Sequence, residues 1–206
     1  MITDKALEAM DAKKVTLVVL ADLSKAFDSI NHATLLAKLQ ALGVSRASLD
    51  WFKSYLSERL QCVRIGAETS GLQVSHMESA LFTIYLNNIS SIPDVCPLES
   101  YVDDSNLYLL FPVAEASNMI QQINKDFKKI ASWCCYNSLL VNPKKTKLLV
   151  LGTRQMLQRL PADFHATLLG KKVTPSPSAQ DHGLQVDSNL SYDEHVTQTV
   201  SSRIGS

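Results

Sequence analysis

The sequence predicts an α+β fold in which an antiparallel sheet carries helices on one face, and three observations lead there. Residues 14–21 form a β-branched, almost wholly apolar run that suits a strand buried on both faces. Residues 98–111 read as two strands joined by a two-residue turn, Asp103-Asp104. The segments run strand, helices, hairpin, helix, strand pair, helix, strand, which is not the strict alternation of a parallel sheet. The chain has 206 residues, 46% hydrophobic and 19% charged, which is globular composition with enough length for a real core.

Each element has its own signal. The first strand, Lys14 to Ala21, ends in a carboxylate, Asp22. Leu35, Leu36, Leu39 and Leu42 repeat at helical spacing over 31–42 and stop at Gly43, a C-terminal signal. A second helix, 45–56, places Leu49, Phe52 and Tyr55 or Leu56 on one side. Residues 61–65 and 72–74 alternate around Gly66 and Gly71 as a hairpin. Residues 79–89 form an apolar helical segment bounded by Pro93. After the strand pair, a long helix reaches Tyr136 with Ile120, Ile123, Phe127, Ile130 and Trp133 or Cys134 on its inner face. Lys147 to Leu151 is a short strand ending at Gly152. The remainder reads as a small β-rich extension, and residues 174–179, with two Pro and two Ser, are its one linker-like stretch.

The net charge of zero conceals a segregation. Residues 1–120 hold nine basic against fourteen acidic residues, 121–172 hold ten against two, and 173–206 hold one against four. The basic block can follow a phosphate backbone or form a solvated helix face. Cys62, Cys96, Cys134 and Cys135 include an adjacent pair and no Cys-x-x-Cys, so they read as reduced thiols rather than a zinc or disulfide framework. The N-terminus carries no secretory signal pattern, and the longest apolar run, 17–21, is far too short to cross a bilayer. A cytoplasmic or nuclear protein without membrane partners is expected, its oligomeric state open.

Asp22 at one strand end and Asp103-Asp104 on another turn would converge if the two strands are neighbours. Clustered carboxylates raise each other's pKa values and call for a cation. Mg²⁺ typically takes one or two protein carboxylates and leaves its other positions to water and phosphates. Two such ions about 3.5–4 Å apart serve in-line phosphoryl transfer. Against this stands ordinary turn chemistry for Asp-Asp and a helix N-terminal role for Asp22.

The surrounding residues are specific. Asp22-Leu23-Ser24-Lys25-Ala26-Phe27-Asp28 resembles the first catalytic motif of reverse transcriptases from non-LTR (LINE-type) retrotransposons, and Tyr101-Val102-Asp103-Asp104 resembles their Tyr-x-Asp-Asp motif. The similarity runs in family order through 81–87, the long helix, Asn142-Pro143-Lys144-Lys145-Thr146-Lys147 and, more weakly, 183–187 with His195. The resemblance implies a polymerase palm over residues 1–152 and a β-rich connection toward a thumb over 153–206. It implies RNA-directed DNA polymerase chemistry in which Asp22, Asp103 and Asp104 are catalytic and hold two Mg²⁺ ions, with Mn²⁺ as a substitute. Leu23, through its backbone carbonyl, Phe27, under the incoming sugar, and Lys145, on the pyrophosphate side, would contact metal and nucleotide. Lys144, Lys147 and Gly152, the last in a strand-turn at the primer end, would contact nucleic acid. The implied partners are an RNA template, a DNA primer and deoxynucleoside triphosphates.

One departure matters for activity. Before Leu81 the family carries Gly-x-Pro-Gln-Gly-Ser-x-Leu-Gly-Pro, where this chain has only Met77-Glu78-Ser79-Ala80 after Ser75-His76. The glycines of that turn let backbone approach the forming base pair, which four residues including a Glu cannot reproduce. His182 also replaces an aliphatic residue of the pattern. Upstream fingers and most of a thumb are expected to be missing, so polymerase activity is expected to be impaired or absent in this chain. The alternative readings are a nonenzymatic nucleic-acid-binding α+β module or a degenerate retroelement remnant.

Overall fold

The computed structural model describes residues 2–24, 29–57, 60–61, 64–66, 68–69, 73–74, 79–101, 104–181 and 183–204. Helix α1 (Ile2–Asp11) leads into strand β1 (Lys14–Ser24), followed by helices α2 (His32–Ala41) and α3 (Arg46–Leu56). Short strands β2 (Leu60–Gln61), β3 (Arg64–Ile65), β4 (Glu68–Thr69) and β5 (Gln73–Val74) nest, β2 pairing with β5 and β3 with β4. Helix α4 (Ser79–Leu86), strands β6 (Leu98–Tyr101) and β7 (Asp104–Pro112), and the long helix α5 (Ala116–Tyr136) come next. They are followed by β8 (Leu140–Val141), β9 (Lys147–Leu151), α6 (Arg154–Leu157), β10 (Ala166–Leu168), β11 (Lys171–Val173), β12 (Pro175–Ser176), β13 (Ser178–Asp181), β14 (Leu184–Asp187) and α7 (Asp193–Ile204).

The central sheet has the order β12-β9-β1-β7-β6, with β8 also paired to β1. It is antiparallel except where β12 joins the edge of β9. Alternation along β1 divides the core in two. Val15, Leu17, Val19, Ala21 and Leu23 face a large apolar cluster with Leu35 and Leu39 of α2, Phe82 and Tyr85 of α4, and Ile123, Phe127 and Ile130 of α5. Val18 and Leu20 face a second cluster with Ile2 and Ala6 of α1, Tyr108, Leu149, and Ala179 and Val186 of the β13–β14 hairpin.

Both faces of β1 are therefore buried, as its unbroken apolar run predicts. The helices expected on one face are there, and α1 with the C-terminal hairpin closes the other. Helix α1 escaped the sequence reading because its inner face rests on Ile2, Ala6 and Ala9, and two alanines give little apolar contrast. The stretch 174–179 is not a linker. It supplies β12 and the start of β13, and Pro175 is tolerated because β12 is an edge strand. Asn31 and Ser45 cap α2 and α3 through their side chains, accepting from the backbone N–H groups of Thr34 and Ser48.

Cys96 and Cys134 are free and buried, and Cys135 is free and exposed, while Cys62 lies outside the described residues. Burial pushes the Cys134 thiol up to about 12, so it stays protonated. Among the described residues no helix is long and apolar enough to cross a membrane.

Candidate metal and nucleic-acid site

Strands β1 and β7 pair from Lys14 opposite Pro112 to Asp22 opposite Asp104. Cα atoms of such antiparallel partners lie roughly 4.5–5.5 Å apart, so the two acidic strand ends meet at one end of the sheet. Asp103 and Phe27 lie outside the described residues. Asp22 follows Val18 and Leu20 at the two-residue spacing of a strand, so its side chain belongs to the face that α1 and the β13–β14 hairpin cover. Its carboxylate is unevenly satisfied. Oδ1 lies 3.5 Å from Nζ of Lys145, whereas Oδ2 is buried and has no hydrogen-bond partner among the described residues.

The lysines reach this place through one turn. Past its pairing with β9, which ends at Leu20, β1 pairs with β8, with Leu23 opposite Val141 and Ser24 opposite Leu140. The next residue, Asn142, donates its backbone N–H to the carbonyl oxygen of Asp22 at 2.8 Å. Its side-chain oxygen accepts from Lys144 N–H at 3.1 Å, and its carbonyl accepts from the N–H groups of Lys145 and Thr146 and from the Thr146 hydroxyl. Thr146 is buried, so the turn is anchored while Lys144 and Lys145 stay exposed. Lys147 opens β9 opposite Leu20. A cleft of about 340 Å³ is lined by Asp22, Lys144, Lys145 and Lys147 together with Asn106, Gln180 and Asp181.

Asn106 and Asp181 were not marked in the sequence. Asn106 is buried on β7 beside Leu20, and its side-chain N–H donates to Asp181 of β13 at 2.8 Å. Its place two residues after Asp104 in the same strand was a usable signal. Asp181 had none, being 75 positions away in the chain. Gly152 is separated from the cleft. In the β1–β9 register Lys147 stands at Leu20 but Leu151 stands at Thr16, toward the opposite end of the sheet. There a Cβ on Gly152 would come within 2.9 Å of Cγ1 of Val15, and its N–H donates to Ser188. Close packing of β9 on β1 explains this glycine. Leu23 projects into the main core and is 5% exposed. Residues 75–78, where the shortened run lies, are outside the described residues. Among the described residues no group of three His, Cys, Asp or Glu side chains is placed to hold a metal.

Comparison with known proteins bears on what this arrangement is. The sequence is similar over 97% of its length to a protein of Drosophila melanogaster named "Probable RNA-directed DNA polymerase from transposon BS", with 24% identity over 214 aligned residues. The chain spans only 23% of that relative. Two structures of telomerase from Candida tropicalis share the fold. One, in complex with a fragment of telomeric RNA, has a TM-score of 0.54 at 10% identity over 93% of this chain and 32% of its own. The other, an apo form truncated from the C-terminal domain, has a TM-score of 0.51 at 11% identity over 93% of this chain and 39% of its own. Residues 2–184 match the family described as reverse transcriptase (RNA-dependent DNA polymerase), and the chain belongs to that family.

Proposed function

We propose that this chain is the palm of an RNA-directed DNA polymerase of a non-LTR retroelement, built for divalent-metal-dependent nucleotidyl transfer on an RNA template and a DNA primer. The observation that carries the reading is the end of β1, where Asp22 stands opposite Asp104 and has one carboxylate oxygen buried without a hydrogen-bond partner among the described residues. A buried carboxylate oxygen lacking a donor is costly unless a cation completes it, so the donor set fits a hard, oxygen-seeking ion such as Mg²⁺ or Mn²⁺. Asp22, Asp103 and Asp104 are the proposed holders of two ions. Bound there, such ions supply charge stabilisation for the attacking and leaving oxygens of the transfer.

The other residues have proposed roles consistent with their positions. Lys145, at 3.5 Å from Asp22, offsets negative charge beside the carboxylates and is assigned to the pyrophosphate side of an incoming triphosphate. Lys144 and Lys147 line the same cleft and suit the phosphates of a template-primer duplex. Phe27 and the backbone of Leu23 are assigned to the incoming nucleotide. Residues 1–152 are taken as the palm and 153–206 as a connection toward a thumb, packed on the palm sheet through Ala179 and Val186. A cytoplasmic or nuclear site of action is part of the same proposal.

Binding of Mn²⁺, followed by the loss of its free-ion paramagnetic signal, tests the metal site. Saturable uptake is expected for the wild type and at least tenfold weaker uptake for Asp22→Asn and for Asp103→Asn with Asp104→Asn. Equal uptake by all three proteins would remove the basis of the reading.

A further inference from the structure

The basic block of residues 121–172 does not lie along one surface. Lys144, Lys145 and Lys147 line the cleft at Asp22. Lys125 and Lys128 lie on α5, and Lys171 and Lys172 on β11, both elements of the other side of the sheet. There Phe127 of α5 and Ala166 and Leu168 of β10 join the main core. Lys125 lies 3.9 Å from the carboxylate of Asp94, and the cleft leaves Lys128, Lys171 and Lys172 unexplained.

That side carries its own groove, of about 870 Å³, between α5 and the β10–β11 hairpin, within the roughly 300–1,000 Å³ of ligand sites. Phe127 and Ala131 belong to its wall on α5, Tyr136 lies at the end of that helix, and Thr167 and Leu169 come from the hairpin. The hairpin is fixed to the helix, because Thr167 N–H donates to the side-chain oxygen of Asn124 at 2.9 Å. Two features are unusual for a surface with no task. Tyr136 is 90% exposed. Leu169, 45% exposed, holds the left-handed conformation (φ 50°) beside Gly170 in the hairpin turn, where Asn or Gly is the ordinary choice.

The charge of the groove selects its occupant. Lys125 and Lys128 line it, Lys172 stands across the hairpin from Thr167, and there is no acidic residue among the described lining residues. A cationic groove with an exposed aromatic ring and apolar walls suits single-stranded nucleic acid, whose phosphates meet the lysines and whose bases stack. We propose that this groove is a second nucleic-acid site, binding a single-stranded RNA segment on the side of the sheet opposite the Asp22 cleft. It rests on the nucleic-acid-handling part of the function proposed above but not on the metal site.

The test is titration of a labelled oligouridylate into the full chain carrying Lys144→Gln, Lys145→Gln and Lys147→Gln, which removes the cleft lysines. Residual, salt-dependent binding is expected. Adding Tyr136→Ala should weaken it at least about fivefold with little change in salt slope, the least expected for losing one stacked base. Adding Lys128→Gln with Lys172→Gln should weaken it and lower the slope. Bound RNA should also slow alkylation of Cys135, which is exposed and lines the groove. No residual binding, or binding that ignores all three groove substitutions, overturns the proposal. Tight capture of an acidic amphipathic peptide that RNA does not displace overturns it in favour of a protein partner. In the chain with Lys144, Lys145 and Lys147 intact, Tyr136→Ala and Lys128→Gln with Lys172→Gln should leave Mn²⁺ uptake at the wild-type level, so failure here is distinguishable from failure of the metal site.

Discussion

Asp126 is a buried carboxylate that the cleft does not use, and it shows how a single side chain fixes the approach to β6. It is 1% exposed on α5 and accepts backbone N–H bonds from Asp94, Val95 and Cys96 at 2.8–3.0 Å. Those three residues lead into β6, which runs to Tyr101. Burial alone would raise its pKa, but the N–H donors outweigh burial and hold it below the ordinary carboxylate value. A folded-state pKa below the unfolded one stabilises the protein above the unfolded value of about 3.9, and the contribution disappears as pH falls through the folded value. Asp126→Asn should therefore flatten the loss of stability below about pH 4. Asp126→Ala, which strands buried donors, should cost on the order of 3 kcal/mol at pH 7. Urea unfolding at pH 7 and pH 3 checks both. An unchanged pH profile in Asp126→Asn would assign the acid sensitivity to other carboxylates.

Between elements, strands β1, β6, β7 and β9 declared themselves by composition, but their partnerships did not. The first strand was legible because both faces of Lys14 to Ala21 are apolar. That Asp22 and Asp104 share a register was a conditional inference, since it depends on β1 and β7 pairing across more than eighty residues of chain. Asn106 and Asp181 show the limit, because a hydrogen bond between distant polar residues leaves no periodic trace. The grouping of lysines was legible as charge but not as geometry, which the sheet divides between its two sides. For the cleft group, replacing Lys144, Lys145 and Lys147 by Gln should lower the affinity for an RNA–DNA duplex. It should also make the salt dependence shallower, by close to one unit of log–log slope per lost phosphate contact. Filter binding at several salt concentrations measures it, and an unchanged slope would make these lysines a solvated surface.

At the scale of the molecule, one sheet carries two differently covered sides. Helices α2 to α6 and the β10–β11 hairpin bury one side, and α1 with the β13–β14 hairpin buries most of the other, leaving the cleft at the acidic end. Phosphoryl transfer depends on positioning and charge stabilisation, so carboxylates without an aligned nucleotide give little rate. Misaligned reactants forgo an orientation advantage of about 7–11 kcal/mol, which is at least five powers of ten at about 1.4 kcal/mol per decade. The resemblance implies that the run before Leu81 lacks the glycine-rich turn that receives the base pair. The isolated chain should therefore show no detectable RNA-templated primer extension with Mg²⁺ or Mn²⁺. Extension that requires both Asp103 and added metal would show that the remaining residues align the nucleotide without that turn.

Divalent metal is proposed to sit at the acidic end of the β1–β7 pair, and metal-directed self-cleavage locates it. Fe²⁺ bound in place of Mg²⁺, with ascorbate and peroxide, generates hydroxyl radicals that cut the nearest backbone. Cuts close to residues 22 and 103–104 are predicted, competed by excess Mg²⁺ and abolished by Asp22→Asn. Cuts confined to other segments, or unchanged by that substitution, would contradict the account.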